Sequence, residues 1–212
     1  MSAARPEPFF VAGSVGLDFL NSIATPVDTP VDWLASGDGL LDWLERTQLI
    51  LPDTAVAFGK STLPGEIDAV AAQARALREW FRTFVHAHRG KPLKAKALSE
   101  LKPLNQLLAR DREFAQIELR AEEKPARSPL RLVRLRRSSS PDTLLAAIAH
   151  ALADVVCTEN FADIKACEGS LCTLLYVDRT RARGRRWCSM AVCGNRWKQA
   201  AHRERTSWRA GS

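Results

Sequence analysis

Four of the five cysteines stand close together near one end of the chain, as Cys167, Cys172, Cys188 and Cys193, with the spacing C-x4-C-x15-C-x4-C. Two close pairs bracketing a longer spacer are the pattern of a four-thiolate zinc site. Each short loop lets two sulfurs converge on one side, and the longer spacer has room for a hairpin that returns the chain. An odd cysteine total without a secretory signal argues against a disulfide framework. A module this short builds little core of its own and needs such a clamp to fold. The expectation is one structural zinc ion per chain, and four thiolates leave no open position for a reactive water. Cys157 lies in the apolar stretch from Leu144 to Phe161 and is expected to be core.

Charge divides the chain at the same place. Residues 165–212 carry eleven basic side chains against three acidic ones, a net +8, so with +7 overall the first 164 residues sum to −1. Of the 31 basic residues, 23 are arginine, the side chain suited to bidentate phosphate and base contacts. The expected domains are a mainly helical body, 1–164, and a basic zinc module, 165–212. No apolar run reaches the ~18–20 residues that span a bilayer, and Met1 to Gly13 holds no signal-peptide core, so a cytoplasmic location without membrane association is expected.

Within the module, Leu174-Leu175-Tyr176-Val177 is strand-like, Arg183-Gly184 can turn, and Arg186-Trp187-Cys188 can return. From Gly194 onward the residues favour a basic helix. The predicted order is knuckle, hairpin, knuckle, helix. Trp187, Trp197 and Trp208 could be core or stacking groups.

The body predicts a mainly α, α+β fold. Thr29-Pro30 opens and Gly37 closes a short helix carrying Trp33 and Leu34, and a second helix holds Leu40, Leu41, Trp43 and Leu44. The clearest helix runs from about Gly65 to His88. Another covers about Ser99 to Ala109, with Pro103 in its first turn or at a kink. Gln116 to Arg120 and Leu130 to Arg136 alternate as a hairpin, with a phase slip at Leu132-Val133. A long apolar helix then runs from Ser140-Pro141-Asp142 to about Phe161 and enters the cysteine module without a flexible linker.

The stretch Arg185-Arg186-Trp187-Cys188-Ser189-Met190, followed by Cys193-Gly194-Asn195-Arg196 and Lys198, resembles the CGNR zinc-finger family. Cys167, Cys172 and Tyr176-Val177-Asp178-Arg179 also fit it. Phe10-Val11-Ala12-Gly13, Leu17-Asp18-Phe19-Leu20-Asn21, Leu41-Asp42-Trp43-Leu44, Leu77-Arg78-Glu79 and Leu104-Asn105 resemble the ABATE domain that usually precedes this finger. The resemblance implies a bacterial, stress-induced transcriptional regulator whose finger binds DNA. Gln199, Ala200 and Ala201 stand where such fingers are often more basic.

No enzyme constellation emerges. Gly59-Lys60-Ser61-Thr62 lacks the glycine five positions earlier that a phosphate-binding loop needs, Thr54 standing there, and Pro64 interrupts the helix that should follow. His86 and His88 are two apart and point in different directions on a helix.

The first reading is therefore a regulator that contacts double-stranded DNA through Arg185, Arg186, Arg196, Lys198, Arg203 and Arg205, with the body as a ligand sensor or homodimerisation domain. Arg196 could equally brace the knuckle. In the second reading the zinc module is structural and its basic face binds RNA or an acidic protein. In the third the body carries a small-molecule activity.

Overall fold

A computed structural model of the protein describes residues 6–25, 30–111, 113–119, 128–136 and 140–210. In chain order the elements are α1 (Val15–Leu20), β1 (Ile23–Ala24), β2 (Val31–Asp32), α2 (Gly37–Arg46), α3 (Pro52–Ser61), α4 (Glu66–His88), α5 (Lys102–Leu108), β3 (Glu113–Leu119), β4 (Leu130–Arg136), α6 (Thr143–Thr158), β5 (Ile164–Ala166), β6 (Leu175–Val177) and α7 (Asn195–Ala210). The fold is mainly α with small antiparallel hairpins, β1 with β2, β3 with β4 and β5 with β6.

Two helices make the frame. α4 buries Ile67, Val70, Ala71, Ala74, Leu77, Phe81, Phe84 and Val85 at helical spacing. It starts on Glu66 and Asp68, whose negative charge suits the N-terminal end of the helix dipole. α6 buries residues around most of its girth, from Leu144 to Val155, as a helix enclosed by others must. α1 and α5 pack on α6, and α2 packs on α4. Trp33, Leu34, Leu41, Trp43, Leu44, Leu77, Phe81 and Phe84 are all buried in the common core.

Arg78 sits almost fully buried inside this frame. Its Nη1 and Nη2 donate to Asp32 Oδ1 and Oδ2, both at 2.8 Å, Nη1 also to Ser22 Oγ at 3.0 Å, and Nε to Glu79 at 2.8 Å. Burial works against the Asp32 carboxylate, but the Arg78 bonds outweigh it and hold its pKa below the ordinary value.

Several local expectations change. No helix forms around Trp33: Val31–Asp32 pairs with β1, and Gly37 opens α2 instead of ending a helix. Ser36 Oγ accepts from Gly39 N at 3.2 Å as the N-cap, and Asp68 Oδ1 accepts from Gly37 N at 2.7 Å. A Cβ on Gly37 would lie 2.7 Å from Ile67 Cγ2, so the glycine is needed for close approach to α4. Thr29, the expected cap, lies outside the described residues. The β3–β4 register is unbroken from Glu113 opposite Arg136 to Leu119 opposite Leu130, so the phase slip is not a bulge. Pro103 sits in the first turn of α5, entered from a 3-10 helix over Ala95–Leu101. Cys157 is exposed, not core. It lies past Val155, the last buried residue of α6, in the turn where the helix emerges from the core.

Candidate metal centre

β5 runs into Cys167, and the chain turns through Cys172 before returning as β6. Cys167 N donates to Leu174 O at 2.9 Å and Cys172 N to Gly169 O at 3.0 Å. The strand over Leu175–Val177 therefore pairs backward with Ile164–Ala166, in register Ile164 opposite Val177, and the first cysteine pair sits inside that hairpin. The expected return strand at Arg186-Trp187-Cys188 forms no ladder, although Glu168 N donates to Arg186 O at 3.0 Å.

The second pair is delivered by a loop fastened to Asp178, which is fully buried. Asp178 accepts from Lys165 Nζ at 2.7 Å, Thr180 N at 3.0 Å, Thr180 Oγ1 at 2.6 Å and Arg185 N at 2.9 Å. Burial opposes the charge, yet these donors hold the carboxyl well below the usual carboxylate range. Tyr176, also fully buried, donates from its hydroxyl to Arg185 O at 2.7 Å. Arg185 then donates to the carbonyls of Trp187 (2.9 Å), Val11 (3.1 Å) and Cys188 while stacking 4.1 Å over the Tyr176 ring. A π-helical turn over Met190–Gly194 presents Cys193 and feeds α7. A Cβ on Gly194 would lie 2.8 Å from Met190 Sδ and 2.9 Å from Trp187 Cδ1, so this position is limited to glycine by space.

The four sulfurs lie within 4.8 Å of one another. Cys172 Sγ to Cys188 Sγ is 3.8 Å and Cys188 Sγ to Cys193 Sγ is 3.6 Å. Tetrahedral zinc at about 2.3 Å from each sulfur places sulfurs about 3.8 Å apart, so the cluster fits the ion. Backbone N–H groups of Gly169 (3.5 Å) and Cys188 (3.2 Å) point at Cys167 Sγ, the outer bonds that orient and stabilise a ligating thiolate. The bond from Cys188 draws the Cys172 thiol down to about 5, whereas burial pushes Cys193 up to about 12. Cys188 is likewise held up, by its bond to Cys172 and by burial. One thiolate forms readily and further negative charge is resisted, which is the electrostatic demand a divalent cation meets. The cluster is the site of one structural zinc ion.

Residues 13–159 match the ABATE family model, whose description is "Putative stress-induced transcription regulator". The chain belongs to the ABATE family. Residues 164–206 match the CGNR zinc finger, so the four sulfurs fall inside the finger and the ABATE match ends just ahead of it. Neither is an enzyme family. No curated protein matches the chain. No helix among the described residues is long and apolar enough to cross a membrane.

The ABATE region and the finger share one hydrophobic core that includes Ile164, Leu174, Leu175, Tyr176, Val177 and Trp187. Asn21 Nδ2 donates to Leu175 O at 2.8 Å while its Oδ1 accepts from Leu175 N at 2.9 Å, and Val177 N donates to Ala12 O at 2.8 Å. Arg179 pairs with Glu159 at 2.6 Å and Arg183 with Asp163 at 3.0 Å. Part of the finger's positive charge is thus neutralised against the body.

The six expected contact residues separate by placement. Arg185 is half-buried and engaged with backbone carbonyls around the second cysteine pair, the bracing role expected as an option for Arg196. Arg186 is exposed, donates to Glu168 at 2.6 Å and covers the Trp187 ring at 4.3 Å. Arg196, Lys198 and Arg203 are exposed on α7. The side chains of Arg205 and Trp208 lie outside those described. Trp187 is core and Trp197 is exposed. The Gly59-Lys60-Ser61 stretch lies in the last turn of α3, not in a loop that opens a helix.

Proposed function

We propose that this protein is a transcriptional regulator that binds duplex DNA through its zinc finger, with the helical body acting as ligand sensor or as the surface that joins two protomers. One observation carries the reading. α7 leaves the metal site directly at Asn195 and presents Arg196, Lys198 and Arg203 on its exposed surface, so the zinc fixes the direction of a basic helix. Arg196 and Arg203, seven positions apart, share one face of α7 and suit phosphates at fixed spacing, whereas Lys198 points to another side, and a side chain can reach base edges only when its backbone is held. The division into a body at 1–164 and a finger at 165–212 separates these two roles.

The dimer role has support in the body. β3–β4 exposes Ile117, Leu119, Leu130 and Leu132, all on one face, and a two-stranded hairpin is marginal by itself. Two protomers would match a palindromic site.

The test is duplex affinity as a function of salt. Log affinity should fall linearly with log salt, by about 0.9 per neutralised phosphate, and Lys198→Ala should reduce the slope by about one. Absence of duplex binding at low salt, with retained binding to RNA or an acidic polypeptide, would favour the structural-module reading.

A further inference from the structure

We infer that the groove beside Trp197 receives an unstacked nucleobase of the DNA bound by the finger, with the Trp197 indole as its stacking surface; this rests on the DNA reading above. The groove encloses 870 Å³ between the loop before Cys188 and the first turn of α7. Its charged lining is Arg185, Arg186 and Lys198, and no carboxylate lines it among the described residues. Trp187, Met190 and Trp197 supply much of its apolar surface.

The two indoles differ in what they offer. Trp187 is 8% exposed and its ring is already covered by the Arg186 guanidinium, 4.3 Å away. Trp197 is 51% exposed, the same guanidinium stands farther off at 5.7 Å from its ring centroid, and its packing against Trp187, at 5.5 Å and 75°, fixes the plane of its ring. Gly194, with no Cβ, lets Met190 lie along the same wall. A surface that only collected phosphates would need the cations and not a fixed, half-exposed indole. A nucleobase meets both features, since its π-face stacks on Trp197 while flanking phosphates face Arg186 and Lys198. A base inside an intact duplex cannot reach a side groove, so the ligand carries one displaced base, at a bulge, a gap or a kinked step.

The experiment uses the full zinc-loaded chain and three labelled duplexes: fully paired, carrying one unpaired base, and carrying an abasic residue at that bulge. Wild type should prefer the unpaired base over the abasic form by roughly 5- to 150-fold, the range of one base–aromatic stack. Trp197→Leu should abolish that preference while leaving the salt slope on the paired duplex and the zinc content unchanged, and Trp197→Phe should restore part of it. Quenching of intrinsic tryptophan fluorescence in wild type by the unpaired-base duplex, and not by the abasic one, reads the same contact without a variant. Equal affinity for the two bulged duplexes, or a preference that survives Trp197→Leu, overturns the inference while duplex binding still stands. Failure to bind any of the three at low salt overturns the DNA reading itself, and binding of polyglutamate instead would assign the groove to an acidic polypeptide.

Discussion

Asn21 and Leu175, 154 positions apart, exchange two hydrogen bonds in which the side-chain amide of Asn21 substitutes for a strand partner of β6. Asn21 is 1% exposed and sits at the end of α1, in the ABATE region, while Leu175 belongs to the finger's hairpin. The metal site is therefore seated on the body by a bond pattern that water cannot replace. Asn21→Leu would leave both polar groups of Leu175 buried and unpaired, and should cost roughly 2 to 4 kcal/mol in urea unfolding at fixed zinc. A loss below about 1 kcal/mol would show that the seating lies elsewhere.

Zinc removal should reach beyond the finger for the same reason. Thiol modification should release about one equivalent of zinc per chain. Because Leu174 to Val177 and Trp187 belong to the common core, the apo protein should also lose stability in its helical signal. Even ~5 kcal/mol lost would lower the Tm by roughly 10 to 20 °C in a chain of this size. A helical transition indifferent to chelator would contradict the shared core.

Much of this was legible in the chain because it is local. The cysteine spacing, the periodic stripe of α4 and the alternation of β3 and β4 each lie within a few residues of one another. What was not legible depends on distant partners. Gly37 reads as a stop until Asp68 and Ile67 are seen against it, from 31 and 30 positions away, making it a start. Ile164-Lys165-Ala166 is too short to declare itself a strand without β6 across the knuckle. Arg185 reads as one more cation, since its acceptor on Val11 is 174 positions distant. Cys157 is a different case: α6 is buried around most of its girth up to Val155, so its periodicity marks no broad outward face, and the exposure comes from where its last turn emerges from the core.

Arg185 and Lys198 should behave oppositely on replacement. Arg185→Ala removes the donors to Trp187, Cys188 and Val11 and should weaken zinc retention roughly 10- to 100-fold, the usual effect of losing an outer-shell partner. Lys198→Ala should leave zinc retention unchanged. Competition with a chromogenic chelator separates the two, and equal zinc affinity in wild type and Arg185→Ala would remove the bracing role.

Asp18 supplies a pH-dependent term. It is buried, and desolvation pushes its carboxyl up to about 6 although Ala12 N and Val11 N donate to it at 3.0 and 2.9 Å. A folded pKa above the unfolded value of 3.8 means the native state holds the proton more tightly. Its contribution is fully present below about 4 and is lost as pH rises through about 6, on the order of 3 kcal/mol. Asp18→Asn keeps an acceptor without the charge. The stability difference between variant and wild type should therefore grow in favour of the variant from pH 4 to pH 7, and a difference that is flat over that range would contradict the burial argument.

Trp43 anchors the body, 1% exposed, with its ring 5.7 Å from that of Phe19. Trp43→Ala should cost roughly 3 to 5 kcal/mol by denaturant unfolding. A loss near zero would move Trp43 out of the core.

Selection of bound sequences from a random duplex library by the full zinc-loaded chain tests the central claim most directly. A finger held rigidly on its body and projecting a basic helix should enrich a discrete motif, and the combined replacement of Lys198 and Arg203 by Ala should abolish the enrichment without loss of zinc. Recovery of a pool no different from the input would contradict the assignment of this protein as a DNA-binding regulator.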